Sequence, residues 1–226
     1  MMIESSTSDE GCKGKVVVSW TGGKDGCLAA CMAIAEGYEV THLLNFSDVS
    51  RYRSHDIDPH LLSAQSAAAG IPLIRKGFTS YEEEFKKVVR DLMADGCRID
   101  GAVFGHIETH RDLVERICRD LEIELILPIW KQNSEGIIEE ILDAGFVVML
   151  ASVKADLLGK EWLGRRIDDS FVEDLRRCDP SIDPCGENGE FHTFVLDCPI
   201  FSHPVKISAG EATLREGYWH LEMRGA

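Results

Sequence analysis

Along the first two thirds of the chain, short unbroken apolar runs alternate with longer segments whose apolar positions recur every three to four residues. The runs at residues 16–18, 40–46, 72–75, 100–105, 125–128 and 146–152 read as strands, the valine-rich and leucine-rich ones as strands covered on both faces. Between them, residues 26–36, 60–69, the segment opened by Ser80, and residues 112–121 and 134–144 read as helices. The Ser80 segment carries Phe85, Val88, Val89, Leu92 and Met93 on one stripe. Punctuation agrees with this division. Gly37, Gly70 and Gly145 stand where helices end, Pro59 where one opens, and Ser80 with Glu83 has capping-box spacing.

Such alternation predicts right-handed crossovers and an α/β fold, a mainly parallel doubly wound sheet with helices on both faces. Past residue 152 the alternation stops. Residues 156–178 read as helical, with Leu157, Leu158, Trp162, Leu163, Phe171 and Leu175 as buried positions. A loop rich in Asp, Pro, Gly and Glu follows, then antiparallel strands at 192–196, 205–209 and 218–224. The expected organisation is a polar, flexible N-terminus (1–14), a parallel-sheet α/β unit (15–152) and a smaller C-terminal α+β unit (153–226). Ligands of open α/β sheets bind beyond the carboxyl ends of the strands. Residues 21–26, 47–58 and 105–111 all fall there, so three segments converge on one crevice.

Composition narrows the chemistry. A formal net charge of −15 with a pI near 4.9 argues against a nucleic acid as main partner. No apolar run is long enough to cross a membrane. The eight cysteines include no C-x-x-C pair and no His pair supplies zinc spacing, which argues against a structural metal site; Cys27 and Cys31, one helical turn apart beside alanines, read as core thiols. A reducing, cytoplasmic location is expected. The subunit number stays open, a homo-oligomer included.

The stretch from Val16 to Ala29 carries the first candidate chemistry: a buried strand, a glycine turn, then a helix. Gly22 and Gly23 allow positive φ and close backbone approach, and the helix points its positive end at the same spot, a candidate anion cradle. Lys24 adds a mobile cation, and Asp25 is the candidate magnesium ligand. The spacing is neither Walker A nor G-x-G-x-x-G. The stretch resembles the Ser-Gly-Gly-x-Asp-Ser loop of the PP-loop ATP pyrophosphatases, the adenine nucleotide alpha-hydrolase-like (HUP, Rossmann-like) superfamily, with Thr21 for the first Ser and Gly26 for the last. The resemblance implies that Ser19, Trp20, Thr21, Gly22, Gly23, Lys24, Asp25 and Gly26 bind ATP with Mg²⁺, and that Gly105 and His106 close over the nucleotide. Phe46, at the end of the second strand, reads first as a core residue, with the border of an adenine ring as the alternative. Arg111 is a candidate phosphate or substrate contact, with a surface ion pair as the alternative.

Residues 183–195, Asp-Pro-Cys-Gly-Glu-Asn-Gly-Glu-Phe-His-Thr-Phe-Val, form the second constellation. Two glycines shape a turn holding Glu187 and Glu190 beside an imidazole and a hydroxyl, a set able to bind a cation or deprotonate an amine. An acidic surface turn is the plain alternative. The run resembles the signature of the diphthine–ammonia ligase family of PP-loop proteins, with further matches at Phe104-Gly105, His110-Arg111-Asp112, residues 127–130 and Leu163-Gly164-Arg165. That resemblance implies an ATP-dependent amide ligase: ATP adenylates the diphthine carboxylate on elongation factor 2, pyrophosphate leaves, and ammonia displaces AMP to give diphthamide. The expected catalytic residues are Lys24, Asp25, Glu187 and Glu190. The expected substrate contacts are His55, Arg111, Cys185, Gly186, Glu187, Asn188, Gly189, Glu190, His192 and Thr193. The alternatives are a PP-loop enzyme with another acyl or tRNA substrate, and a non-catalytic adenine-nucleotide-binding module.

Overall fold

A computed structural model describes residues 11–49 and 57–225. The expected flexible N-terminus (1–14), apart from its last four residues, and His55 lie outside the described residues. The first sheet has five strands in the order β3-β2-β1-β4-β5, all parallel: β1 (Gly14–Ser19), β2 (Tyr38–Asp48), β3 (Leu73–Phe78), β4 (Gly101–Val103) and β5 (Glu124–Ile126). β1 is central. Val16 and Val18 face one core and Val17 the other, and all three are fully buried, which is why its apolar run shows no alternation.

Helices α1 (Lys24–Ala35) and α2 (Pro59–Ala69) cover the Val16/Val18 face; α3 (Tyr81–Ala94) and α4 (Arg111–Leu121) cover the Val17 face. The ends follow the local chemistry. Asp58 accepts from the His60 N–H ahead of α2, Gly70 closes that helix in the left-handed region, and Ser80 accepts from the Glu83 N–H. The helix α5 (Ser134–Asp143) is capped by Asn133, which accepts from Glu135 and Gly136 N–H.

Two expectations are corrected here. The run at 146–152, expected to be the last strand of the parallel sheet, is β6 (Val147–Lys154) of a separate sheet, order β7-β6-β9-β8, antiparallel to β7 (Phe191–Asp197) and β9 (Tyr218–Gly225). A central strand of either sheet is buried on both faces, so hydrophobicity names the strand and not its neighbour. The edge strand β8 (Ile207–Arg215) starts and ends later than the expected 205–209.

Residues 156–178 are not one helix but a single 3-10 turn (Lys160–Trp162) and α6 (Phe171–Cys178). Gly164 adopts φ 74° and breaks the path. Leu150 and Gly164 exchange N–H···O bonds with Arg165 and Leu150 carbonyls, and Ile167 N–H donates to Val148 O, so 164–167 lines the half of β6 that β9 leaves open. Sheet edges left bare are costly, and filling this one outweighs the helical propensity of the segment.

The second sheet packs on the α1/α2 face. One continuous apolar cluster runs from Val16 and Leu28 through Ile137 and Ile141 to Val148, Phe171 and Phe194. No helix among the described residues is long and apolar enough to cross a membrane.

Candidate functional site

The glycine turn leaves β1, passes Gly22 at φ 82° and enters α1 with Gly23 as its cap residue, which has no side-chain cap of its own. The cap comes from elsewhere in the chain: Thr193 Oγ1, on β7, accepts the Lys24 backbone N–H at 3.1 Å. A side chain on Gly23 would meet Thr193 at 3.2 Å, so glycine there is what lets the second sheet close on the loop. Gly105 does the same from the other side. A Cβ there would lie 2.5–2.6 Å from the Asp25 carbonyl and Gly26 nitrogen, so the end of β4 abuts the first turn of α1.

Behind the turn, Gln65 of α2 is fully buried and accepts from Trp20 Nε1–H (3.0 Å) while its amide donates to Gly22 O (3.0 Å) and Val195 O (2.8 Å). Val195 N–H also donates to Gly22 O. Trp20 is thereby buried support for the loop rather than a wall of the cleft. Gln65 went unread in the sequence. Its signal was there: it occupies the stripe otherwise formed by Leu61, Leu62 and Ala68.

A cleft of about 500 Å³ opens in front of the α1 terminus, lined by Ser19, Thr21, Gly23, Lys24, Asp25 and Gly26 on one side. Gly105, His106, Thr109 and His110 close a second side, and Cys185, Gly186, Glu187, Gly189, His192 and Thr193 a third. Segments of both sheets thus meet at one place. Phe46 and Arg111 are not among these residues. Phe46 packs against Tyr81 and Phe85 at 5.3 and 5.6 Å in the second core, and does not border the nucleotide cleft. Arg111 is exposed, bonded to Glu115 one turn on and stacked over Trp130. Asn188 is exposed, with its side-chain amide donated to Glu190.

Lys24 differs from the mobile cation expected of it. Only 1% of the residue is exposed, and its ammonium donates to both Asp25 oxygens at 2.9 Å and to the Cys185 carbonyl at 2.5 Å. Burial would lower its pKa, but the Asp25 carboxylate and its other partners outweigh that and leave it raised. Lys24 therefore stays charged and ties α1 to the 183–190 loop.

Within that loop the two glutamates have different surroundings. Glu190 is buried and accepts from the N–H groups of Asp183 and Asn188, which fixes the turn. Asp183 assists, accepting from Cys185 N–H and from Ser134 Oγ at the start of α5. Gly186 (φ 74°) and Gly189 (φ 79°) permit the path. Glu187 instead lines the cleft, and burial, with Asp25 close by, pushes its carboxyl up to about 7. His106 moves the other way, to about 4, because burial and the neighbouring His110 disfavour its cation. Near neutrality the cleft presents a neutral imidazole and a carboxyl poised between its two forms. Cys185 lends its carbonyl; its buried thiol is pushed up to about 12 and is no nucleophile there.

The arrangement suits a polyphosphate in shape and needs help in charge. The α1 terminus and the bare glycines offer backbone N–H groups, but Asp25 and Glu187 repel an anion, and the buried Lys24 ammonium is already engaged. Asp25 is the residue that would hold a magnesium ion, and such an ion would supply the missing positive charge, since Mg²⁺ is commonly held by one or two carboxylates plus phosphates. No cluster of three or more His, Cys, Asp or Glu able to hold a metal by themselves occurs among the described residues.

Comparison with known proteins matches both halves of the chain. Residues 14–125 match the family model "Diphthamide synthase N-terminal domain", and residues 133–225 the model "Diphthamide synthase C-terminal domain". The chain is 25% identical to the diphthine–ammonia ligase of Mus musculus and 24% to that of Homo sapiens, each alignment covering 88% of this chain and 85% of the relative. Against the diphthine–ammonia ligase of Schizosaccharomyces pombe it is 22% identical over 87% of this chain and 36% of that one. Among solved structures, a predicted subunit of tRNA methyltransferase from Methanocaldococcus jannaschii superposes with a TM-score of 0.46 at 15% identity, covering 82% of this chain and 98% of that one. With both halves matched in order and the glycine turn and the 183–193 loop meeting at one cleft, the chain belongs to the diphthine–ammonia ligase family of PP-loop proteins.

Proposed function

We propose that the protein is an ATP-dependent amide ligase, that its acyl substrate is the diphthine carboxylate of elongation factor 2, and that it acts in the cytoplasm. One observation carries the reading. The 183–193 loop is fastened to the N-terminus of α1 through Lys24 and Thr193, so a triphosphate and an acceptor are offered the same cleft. In this reading Thr21, Gly22, Gly23 and the first turn of α1 bind the β- and γ-phosphates, and Gly105 and His106 flank the nucleotide. Mg²⁺, when bound, supplies charge compensation beside Asp25. The acceptor carboxylate attacks the α-phosphorus, forming the acyl-adenylate and expelling pyrophosphate.

Ammonia then attacks the acyl carbon, the bond to AMP breaks, and the proton lost from nitrogen goes to a base. Glu187 takes that role because a carboxyl with pKa about 7 accepts and returns protons near neutral pH. Unionised, it also leaves the cleft less hostile to incoming phosphate. Glu190 is assigned to holding the loop, not to chemistry. The test is incubation with ATP, Mg²⁺, ammonium and diphthine-bearing elongation factor 2. AMP, pyrophosphate and an amidated factor are expected. ADP as product, or AMP formed only with tRNA, overturns the assignment.

A further inference from the structure

The nucleotide cleft has a neighbour. Beyond Ile57 and His192, which line both, a second cleft of about 540 Å³ opens between the start of α2, β3 and the β8–β9 hairpin. Its guanidinium groups come from three strands: Arg75 of β3, Arg215 of β8 and Arg224 of β9. His60 and His220 join them. This concentration of basic groups stands out in a chain of net charge −15.

Its cations are largely unspent. Arg75 and Arg224 are exposed and form no ion pair among the described residues; Arg75 makes a long 3.4 Å bond to Asn45. Arg215 lies 3.9 Å from Glu222, a loose pairing at the surface. On the same wall, Thr213 Oγ1 is shut off from solvent with no hydrogen-bond partner among the described residues.

We propose that this second cleft is the docking site for an acidic polypeptide segment of the acceptor protein, a proposal that rests on the ligase reading above. A carboxylate presented by a folded protein enters the first cleft with its polypeptide attached. That polypeptide must lie along the adjoining surface, and the adjoining surface is this cleft. Guanidinium forks match carboxylates in geometry as well as charge. A chain of nucleic-acid phosphates suits the cleft less well. Asp58 and Glu222 share its walls, and the rest of the acidic surface repels a long polyanion. A peptide can set its carboxylates on the arginines and its amides beside Asp58 and Glu222.

The experiment compares the full-length protein with an Arg75→Gln/Arg224→Gln double variant, both substitutions being at exposed positions. A short labelled glutamate-rich peptide is titrated by fluorescence anisotropy, alongside a labelled ATP analogue. The peptide should bind the wild type in a salt-sensitive way and lose about tenfold or more in affinity in the variant, given the worth of two charge-assisted contacts. The ATP analogue should bind both equally. In turnover, KM for the acceptor should rise while kcat and KM for ATP stay put. Unchanged peptide affinity overturns the proposal. So does displacement of the peptide by an RNA oligomer or by pyrophosphate at lower concentration than by unlabelled peptide. Peptide binding is read without turnover, so a wild type that amidates nothing, yet shows the variant's loss, counts against the ligase reading and for the cleft.

Discussion

Replacing Gln65 with leucine keeps the bulk of the side chain and removes every polar contact it makes. The Trp20 indole N–H loses its acceptor and the Val195 carbonyl loses a donor, both inside a fully buried site. The Gly22 carbonyl retains the Val195 N–H and suffers less. An orphaned buried group costs about 1–3 kcal/mol, so two of them cost about 2–6 kcal/mol. At the ~2–4 °C per kcal/mol typical of a domain this size, melting should fall by roughly 4–24 °C in calorimetry or thermal circular dichroism.

The site should respond as well. Gly22 is held at φ 82° with Gln65 Oε1 only 2.7 Å from where a Cβ would be, so freeing this side frees the turn that faces the triphosphate. Nucleotide affinity by calorimetry should weaken together with stability. Gln65→Glu sharpens the test. Protonated, it can donate one bond where the amide donates two; ionised, it sets a charge against the Gly22 and Val195 carbonyl oxygens. Its destabilisation should therefore grow as pH rises through the carboxyl range. A leucine variant that loses less than about 1 kcal/mol and binds nucleotide normally would refute the idea that Gln65 organises the loop.

Glu187→Gln should lower amidation by about 10²–10⁴-fold, the usual worth of a general base, with ATP affinity little changed, and wild-type activity should rise with pH through about 7. Its folded pKa lies above the ordinary 4.5, so the folded state binds more protons between 4.5 and about 7. Stability from this group is highest below 4.5 and declines up to about 7, and the glutamine variant should lack that decline in pH-dependent melts. Gly26→Ser, which restores the residue usual in the family loop, has room because a Cβ would meet only Ser19 O, at 3.4 Å. It should gain about 0.5 kcal/mol from helix propensity and lower KM for ATP, and a raised KM would show that the cleft needs the glycine.

The sequence by itself determined the elements of the first sheet and the two loops that matter. Residues 16–18, buried on both faces, could read only as an unbroken apolar run, and glycines at 22, 23, 105, 186 and 189 marked backbone that turns sharply or is closely approached. Those are local facts, set by side-chain period and by the steric limits of a Cβ. Tertiary structure decided the rest. It placed β6 in the second sheet, and spread residues 164–167 along that strand where local pattern read helix. It turned Lys24 and Glu190 inward while leaving Glu187 in the cleft, sent Phe46 into the second core, and left Arg111 on the surface. The seating of Lys24 and of the 183–190 loop depends on partners distant in sequence, Thr193 and Cys185 on Lys24 or Ser134 on Asp183, and a bond between two remote residues leaves no period in either neighbourhood.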